Sequence, residues 1–434
     1  MFFWYSFSSW FEPPTKKNTV FLDIKIIMEL FRSLQYPNFR LHTIGQSISL
    51  LGTWMQRIAI SWLVYRLTES VFLLGFVSFV SLLPSLVLSP FIGSFVDRRS
   101  KYRLVVMTQV LLMLQAGILT FVVFMGWATV WWLCVLGFAQ GVINAFDVVS
   151  RQALLVSLVD QKKDLPNAIA LNSSVFNAAR MVGPAIGGVL LSMYGEQACF
   201  WVNFLSFVPV LTTLSMMKVV EKAPTNPKGS SNWQGLLDGF DYLKRSPHLA
   251  SLIIIMTCSS LFVIPYTSLL PAVAKDLFKG DETTFSWFES VAGFGAMLGA
   301  IQMARLKSGE NLRYRVMFSA FMMGTSLLLL AYAHYLPSAL FFTGAVSFAM
   351  MMQNSSINTY IQTHAMSAYR ARIMSYYVMA FQGVFPIGSL LIGSVADTIG
   401  IKSTLYVMGG IGVLIALCYY IYLRLHIQRR LFKM

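Results

Sequence analysis

Twelve runs of mostly apolar residues follow one another along this chain, each about 20 residues or longer and each cut off by a short polar break. They lie near residues 41–64, 71–95, 104–126, 128–149, 168–193, 197–217, 249–270, 284–305, 314–333, 336–357, 372–395 and 402–423. Backbone amides and carbonyls in hydrocarbon must be satisfied within their own segment, so runs of this length are read as helices that cross a bilayer. Composition agrees: 56% of the 434 residues are hydrophobic, 12% are charged, and the mean hydropathy of +0.64 is far from that of a soluble enzyme. The predicted fold is an all-α polytopic membrane protein with 12 transmembrane helices in two pseudo-symmetric six-helix bundles.

Charge sets the expected orientation, because Lys and Arg accumulate in short cytoplasmic loops. With the N-terminus inside, 27 of the 33 Lys and Arg residues fall on the inner side and four outside (Arg66, Lys275, Lys279, Lys402). The other two, Arg57 and Arg180, lie within spans. Both termini are therefore predicted to be cytoplasmic, in the cell (inner) membrane. The net charge of +15 is a topology signal and does not indicate a nucleic-acid partner. Cys134, Cys199, Cys258 and Cys418 all fall within spans, so no disulfide framework is expected. The aromatic start, MFFWYSFSSWFEPPTKKNTVF, lacks the pattern of a signal peptide. Residues 1–27 are read as a dispensable extension ahead of Met28, with an interfacial aromatic anchor as the rival reading.

The expected organisation is an arm over 1–40, a bundle over 41–217, a linker over 218–248, a second bundle over 249–423 and a basic tail over 424–434. The linker is rich in Pro, Gly, Ser and charge. Within it Trp233, Leu236, Leu237, Phe240 and Leu243 recur at helical spacing, which suggests an amphipathic helix on the inner surface. A shift of 202 residues places Arg180 on Gln382, Pro184 on Pro386 and Gly187 on Ser389, a weak internal repeat of the kind found in transporters.

The stretch GSFVDRRSKYR, Gly93 to Arg103, sets an acid and four cations at one sharp break between two spans. Gly93 allows close helix packing and Asp97 ends the helix at the membrane surface. Further on, Pro184 removes a backbone donor and bends the fifth segment, while Gly183, Gly187 and Gly188 allow tight packing. These strings resemble the major facilitator superfamily over nearly the whole chain from about Met28. GSFVDRRSKYR is similar to its loop 2–3 signature, with Ser100 in place of the second glycine, and VGPAIGG resembles the helix 5 signature of its exporters. The run FDVVSRQALLVSLVDQKKDLPNAIALNSSVFNAARMVGPAIGG resembles the branch that contains the enterobactin exporter and macrolide efflux proteins. One position departs: an arginine common in the fourth helix of proton-coupled drug exporters is Gly137 here.

The resemblance implies a secondary active transporter with alternating access. It also implies that Gly93, Asp97, Arg98 and Lys101 form a gating latch, with the Asp97 carboxylate facing the N-terminal end of the eleventh helix. Asp147, one turn from Arg151 at the inner end of the fourth segment, is the acid that Arg98 and Lys101 are expected to reach, and together these residues form the latch across the two bundles. In exporters the bend at Gly183, Pro184, Gly187 and Gly188 seals one side of the cavity.

Polar residues on single faces of apolar segments are candidates for a binding site. The fifth segment shows Ser173, Asn177, Arg180 and Pro184 in one stripe, and the first shows Gly45, Ser49, Gly52 and Gln56 with Arg57 beside them. Asn354, Asn358 and Gln382 add to the later spans. An intramembrane Asn or Gln is as often a link between helices as a ligand contact, whereas intramembrane charges are costly and functional. The expected cavity set is Gln56, Arg57, Asn177, Arg180, Glu289, Asn354 and Gln382. Glu289 enters the eighth span about 8 Å from the outer surface, a depth that Arg57 or Arg180 reaches from the other side. Their competition with a proton for this carboxylate is what an antiporter needs.

The expected function is export of a bulky amphipathic small molecule, such as a drug or siderophore, by proton antiport. The alternatives are a non-transporting receptor or assembly factor, and an importer of an organic solute. No HExxH, GxSxG, Walker or metal-spaced motif points to an enzyme, a cofactor or a metal. The expected partners are the small-molecule substrate, protons and the lipid bilayer, with the chain a monomer.

Overall fold

The computed structural model describes residues 32–97, 99–219, 232–304 and 311–431, and the regular elements of these residues are helices without any strand. Six helices cross in the first half. They are α1 (Pro37–Thr68), α2 (Val71–Asp97), α3 (Lys101–Phe124), α4 (Val130–Ser157), and a continuous run Leu165–Met216 that folds over at Gly195 into α5 (165–194) and α6 (196–216). Gly195 has φ 74° and ψ −179°, a backbone conformation open to glycine and strained for other residues. The second half holds α7 (Pro247–Leu277), α8 (Glu282–Ala304), α9 (Leu312–Tyr332), α10 (Leu336–His364), α11 (367–399) and α12 (Ile401–Leu431).

Among the described residues nine stretches are long and apolar enough to cross a membrane by length and composition, and one of them, Asn167–Met216, contains two crossings. The two remaining crossings, α1 and α8, are the less apolar ones. They carry Gln46, Gln56 and Arg57 in one case and Glu282, Glu289 and Gln302 in the other.

Two helices differ from the sequence expectation, each beside prolines. α7, expected as one segment over 249–270, runs as Pro247–Phe262, breaks ahead of Pro265, and resumes as Tyr266–Ala272 with a wide π-helical turn at Val273–Leu277. It therefore continues to Leu277, and the loop expected over 271–284 shrinks to residues 278–281. α11 begins as Ser367–Val378, widens into a π-helical turn at Met379–Gly383 and continues as Phe385–Ile399. Pro386 has no amide to give, so the regular bonding ladder cannot run unbroken there.

The chain has two ends, named here the linker face, where the linker joins α6 to α7, and the far face. Glycines let the helices approach closely, as small residues do in membrane bundles. In α1, a Cβ on Gly52 would stand 3.0 Å from Cα of Asn203, and one on Gly45 3.1 Å from Cα of Val210, so this side of α1 lies on α6. Between the halves, α5 and α8 run antiparallel. Gly188 abuts the Ser286 side chain, and a Cβ on Gly293 would stand 2.8 Å from the Arg180 carbonyl oxygen and from Cα of Met181. α2 and α11 form the matching antiparallel seam, with Gly75 against the Ser389 carbonyl and Gly393 against Val71 and Phe72.

The linker does contain a helix, Asn232–Arg245. It docks on the first turns of α11: Asp238 pairs with Arg372 at 3.0 Å, and Tyr242 stacks on Tyr369 with ring centroids 4.6 Å apart. On the same linker face, the 3-10 turn Arg32–Gln35 ahead of α1 is tied to the start of α5. The Asp164 carboxylate accepts the Tyr36 hydroxyl at 2.7 Å and the Gln35 amide at 3.2 Å, and pairs with Arg32. Residues 1–27, read from sequence as dispensable, lie outside the described residues.

Candidate functional site

The site is built around one indole. Trp54, buried in α1, has the Arg57 guanidinium 5.0 Å from its ring centroid and the Arg180 guanidinium of α5 at 5.8 Å. Phe176 meets the same ring edge-on at 5.9 Å. The helix 5 glycines make this approach possible: a Cβ on Gly183 would fall 2.6 Å from Cβ of Trp54, and one on Gly187 3.2 Å from Cα of Met55. Each guanidinium thus gains a cation–π contact, worth about 0.5–2 kcal/mol depending on how dry the site is.

The acid comes from the other bundle. α8 starts at Glu282, so Glu289 stands about 10 Å inside the helix at 1.5 Å per residue. It lies in the electrostatic field of both Arg57 and Arg180, and the two arginines act on each other. No direct ion pair closes among the three. Tyr266 of α7 is fully buried in the same field and shares a 2.6 Å hydrogen bond with Ser347 of α10. Three helices thus bring three charges together, and α7 with α10 adds a neutral polar pair.

The other sequence-derived candidates go elsewhere. Gln56 is buried and accepts a 2.6 Å hydrogen bond from the Asn203 amide of α6, so with Gly45 and Gly52 it belongs to the α1–α6 contact. The Asn177 amide donates to the Ser173 carbonyl one turn back, at 2.9 Å. Asn354 is bonded to the Tyr377 hydroxyl, and Gln382 is exposed in the π-helical turn of α11. Trp62 of α1 is buried and stacked on Phe285 of α8 with centroids 6.1 Å apart.

Among the latch residues, Gly93 and Asp97 fall in the last turns of α2 with their side chains outside the described residues, as is Arg98. Lys101 opens α3 and is half-exposed. Asp147 accepts hydrogen bonds from Thr108 at 2.7 Å and Gln109 at 2.8 Å on α3, and pairs with Arg151 at 2.5 Å. This is a knot internal to the first bundle.

Sequence reasoning missed the far face, where the two bundles are bonded to each other. The Tyr65 hydroxyl donates to Asp276 at 2.5 Å, and Lys275 pairs with Glu69 at 2.9 Å. The hydrogen bond and charge of Lys275 hold the Glu69 carboxyl below its ordinary range. The Asp397 carboxylate at the end of α11 caps α2, accepting the Ser70 hydroxyl at 2.7 Å and the amides of Val71 and Phe72 at 2.8 and 3.2 Å. These partners are far apart in sequence and carry no local motif.

Two helical bundles with charges inside the helices where the halves meet are an architecture that transporters use, and the family and relatives that this chain matches are transporters, not enzymes. The chain belongs to the family described as transmembrane secretion effector, whose pattern matches residues 30–430, and so to the major facilitator superfamily. It is 27% identical over 377 residues to the staphyloferrin A transporter of Staphylococcus aureus (strain NCTC 8325 / PS 47), which covers 85% of this chain and 92% of that one. It is 24% identical over 393 residues to macrolide efflux protein A of Streptococcus pyogenes, over 88% and 96% of the two chains. In fold it is similar to a bacterial homologue of the human lysosomal transporter Spinster in an inward-facing, unoccupied conformation, with TM-score 0.69 and 12% identity over 89% of this chain and 97% of that one. A bacterial homologue of the iron transporter ferroportin, also inward-facing, gives TM-score 0.66 and 16% identity over 88% and 98%.

Proposed function

We propose that this protein is a proton-coupled exporter that moves a bulky amphipathic small molecule by alternating access, with residues 41–217 and 249–423 as the two moving bundles. The observation that carries the reading is the placement of Arg57 and Arg180 on one bundle and Glu289 on the other, well inside their helices and at the contact between the bundles. A carboxylate at such a place can be held ionised by the arginines or protonated when they turn to a substrate. The relatives named as a macrolide efflux protein and a staphyloferrin A transporter support movement of a small organic molecule, and the first supports its export.

The linker face is read as cytoplasmic, on the excess of Lys and Arg in its loops. The bonds at Asp397, Asp276 and Glu69 then close the outer side, and the molecule is inward-facing. Asp97, Arg98 and Lys101 supply the corresponding closure of the linker face in the opposite state, with Asp147 and Arg151 bracing α4 behind them. Gly183, Pro184, Gly187 and Gly188 keep α5 against α1 and α8 through the cycle.

The test is transport in proteoliposomes under an imposed pH gradient. The reading expects Glu289→Gln to abolish gradient-driven export while substrate binding stays measurable. An unchanged pH dependence in that variant, at equal reconstitution, removes Glu289 from the mechanism, and gradient-driven uptake in the opposite direction makes the protein an importer.

A further inference from the structure

The charges at the site do not balance. Asp147 is the one other acid placed well inside the described spans, and it is committed to Arg151, Thr108 and Gln109 near the linker face. Away from the helix ends, α1, α5 and α8 carry two guanidiniums, Arg57 and Arg180, and one carboxylate, Glu289. Tyr266, the remaining titratable group in their field, is bonded to Ser347 and brings no negative charge near neutral pH. One positive charge is therefore left without a counter-charge, in a place where an uncompensated ion is expensive.

The contacts with Trp54 ease this cost without cancelling the charge, since an aromatic ring offers a quadrupole and not an anion. A guanidinium presents a planar fork of donors that matches a carboxylate, and two of them lie against the same ring. Arg57 is exposed and Arg180 half-buried, so the more accessible of the pair is not covered by protein. Phe176, 45% exposed, extends the aromatic wall next to them.

Resting on the exporter reading above, we propose that the substrate is an amphipathic organic anion, whose acidic group is held by Arg57 and Arg180 while its apolar body lies along Trp54 and Phe176. While Glu289 is ionised, binding of a monoanion brings the site to neutrality, and uptake of a proton by Glu289 makes it positive again. A cationic amphiphile would leave both arginines in competition with it and the site more positive still.

Two dyes built on the same xanthene core, 5-carboxyfluorescein as the anion and rhodamine 6G as the cation, separate charge from shape. Fluorescence anisotropy with the purified full-length protein is expected to show saturable binding of 5-carboxyfluorescein, at least tenfold tighter than rhodamine 6G. Arg57→Gln and Arg180→Gln are each expected to weaken the anion at least tenfold, and Arg57→Lys to recover part of the loss. Size-exclusion profiles and melting curves identify any variant that has simply misfolded, and the Arg57→Lys comparison holds if one glutamine variant does. Equal or tighter binding of rhodamine 6G overturns the proposal, as does binding of 5-carboxyfluorescein that is indifferent to both arginines. Flux of either dye in inside-out vesicles is read separately: gradient-driven movement of rhodamine 6G alone defeats the anion assignment and leaves the exporter reading standing, whereas a bound anion that is never moved by the gradient defeats the exporter reading.

Discussion

Asp397, in the last turn of α11, accepts the backbone amide of Val71, the first residue of α2, at 2.8 Å. The same carboxylate takes the Ser70 hydroxyl and the Phe72 amide, so the free amides at the start of one bundle's helix are satisfied by an acid from the other. Asp397→Asn removes the charge and leaves one carbonyl oxygen to serve three donors. A loss of about 1 kcal/mol at this cap shifts the balance of far-face closed to far-face open molecules about fivefold. Electron–electron distance measurements between spin labels at Leu67 and Ile399, both exposed near the far face, are expected to show a longer-distance population in the variant. An unchanged distribution would deny Asp397 any part in closure.

Gly188 lies against Ser286 with no room for a methyl group. Gly188→Ala forces α5 and α8 apart and is expected to cost about 1–3 kcal/mol, as overpacking does. Ser286→Gly in the same molecule removes the obstructing side chain, and the pair should regain most of the melting temperature and of the transport rate. Failure of the second substitution to rescue the first would place the strain elsewhere.

Gln56 and Arg57 are neighbours in sequence with opposite expected roles. Gln56 is buried against Asn203, and Asn203→Ala leaves its carbonyl without a donor at a cost of about 1–3 kcal/mol. Thermal melting should register that loss while the transport rate per folded molecule stays near wild type. Arg57→Gln should show the reverse, a small change in melting and a large one in transport. If Asn203→Ala instead changed substrate affinity, Gln56 would belong to the cavity after all.

Asp164 predicts a pH dependence. The hydrogen bond from Tyr36, together with Arg32, holds its carboxyl below the ordinary range against the opposing effect of burial. A depressed value means that this contribution to stability is complete above the ordinary carboxylate range and is lost as pH falls through the lowered value. Wild type should therefore melt above Asp164→Asn at neutral pH, and the gap should close in acid. Trypsin cleavage after Arg32 should also be faster in Asp164→Asn at neutral pH. A gap that persists in acid would show that the carboxylate charge is irrelevant.

The spans, the linker helix and the tight glycines of α5 were legible because each is a local pattern of apolar length, helical spacing or small side chains. The direction in which a polar stripe faces was not. Gly45, Ser49, Gly52 and Gln56 lie on one side of α1 by spacing alone, and that spacing serves packing on α6 as well as it would line a cavity. The proline-linked irregularities of α7 and α11 were visible as Pro265, Pro271 and Pro386, but residue order does not say whether a proline breaks, bends or widens a helix. The far-face bonds join Tyr65 to Asp276 and Ser70 to Asp397, pairs that only the packing of two halves brings together.

The antiparallel seam of α5 and α8 runs from Gly188 and Ser286 at one end to Met181 and Gly293 at the other, and both Arg180 and Glu289 belong to it. If the bundles roll on one another, this line is the fulcrum, and points on a fulcrum barely travel. The long lever arms are the helix ends at the far face, where Asp397 and Asp276 hold on. In such a motion a small rearrangement of charge at the centre would be geared into a wide displacement at the rim, while the charges themselves would stay within reach of each other.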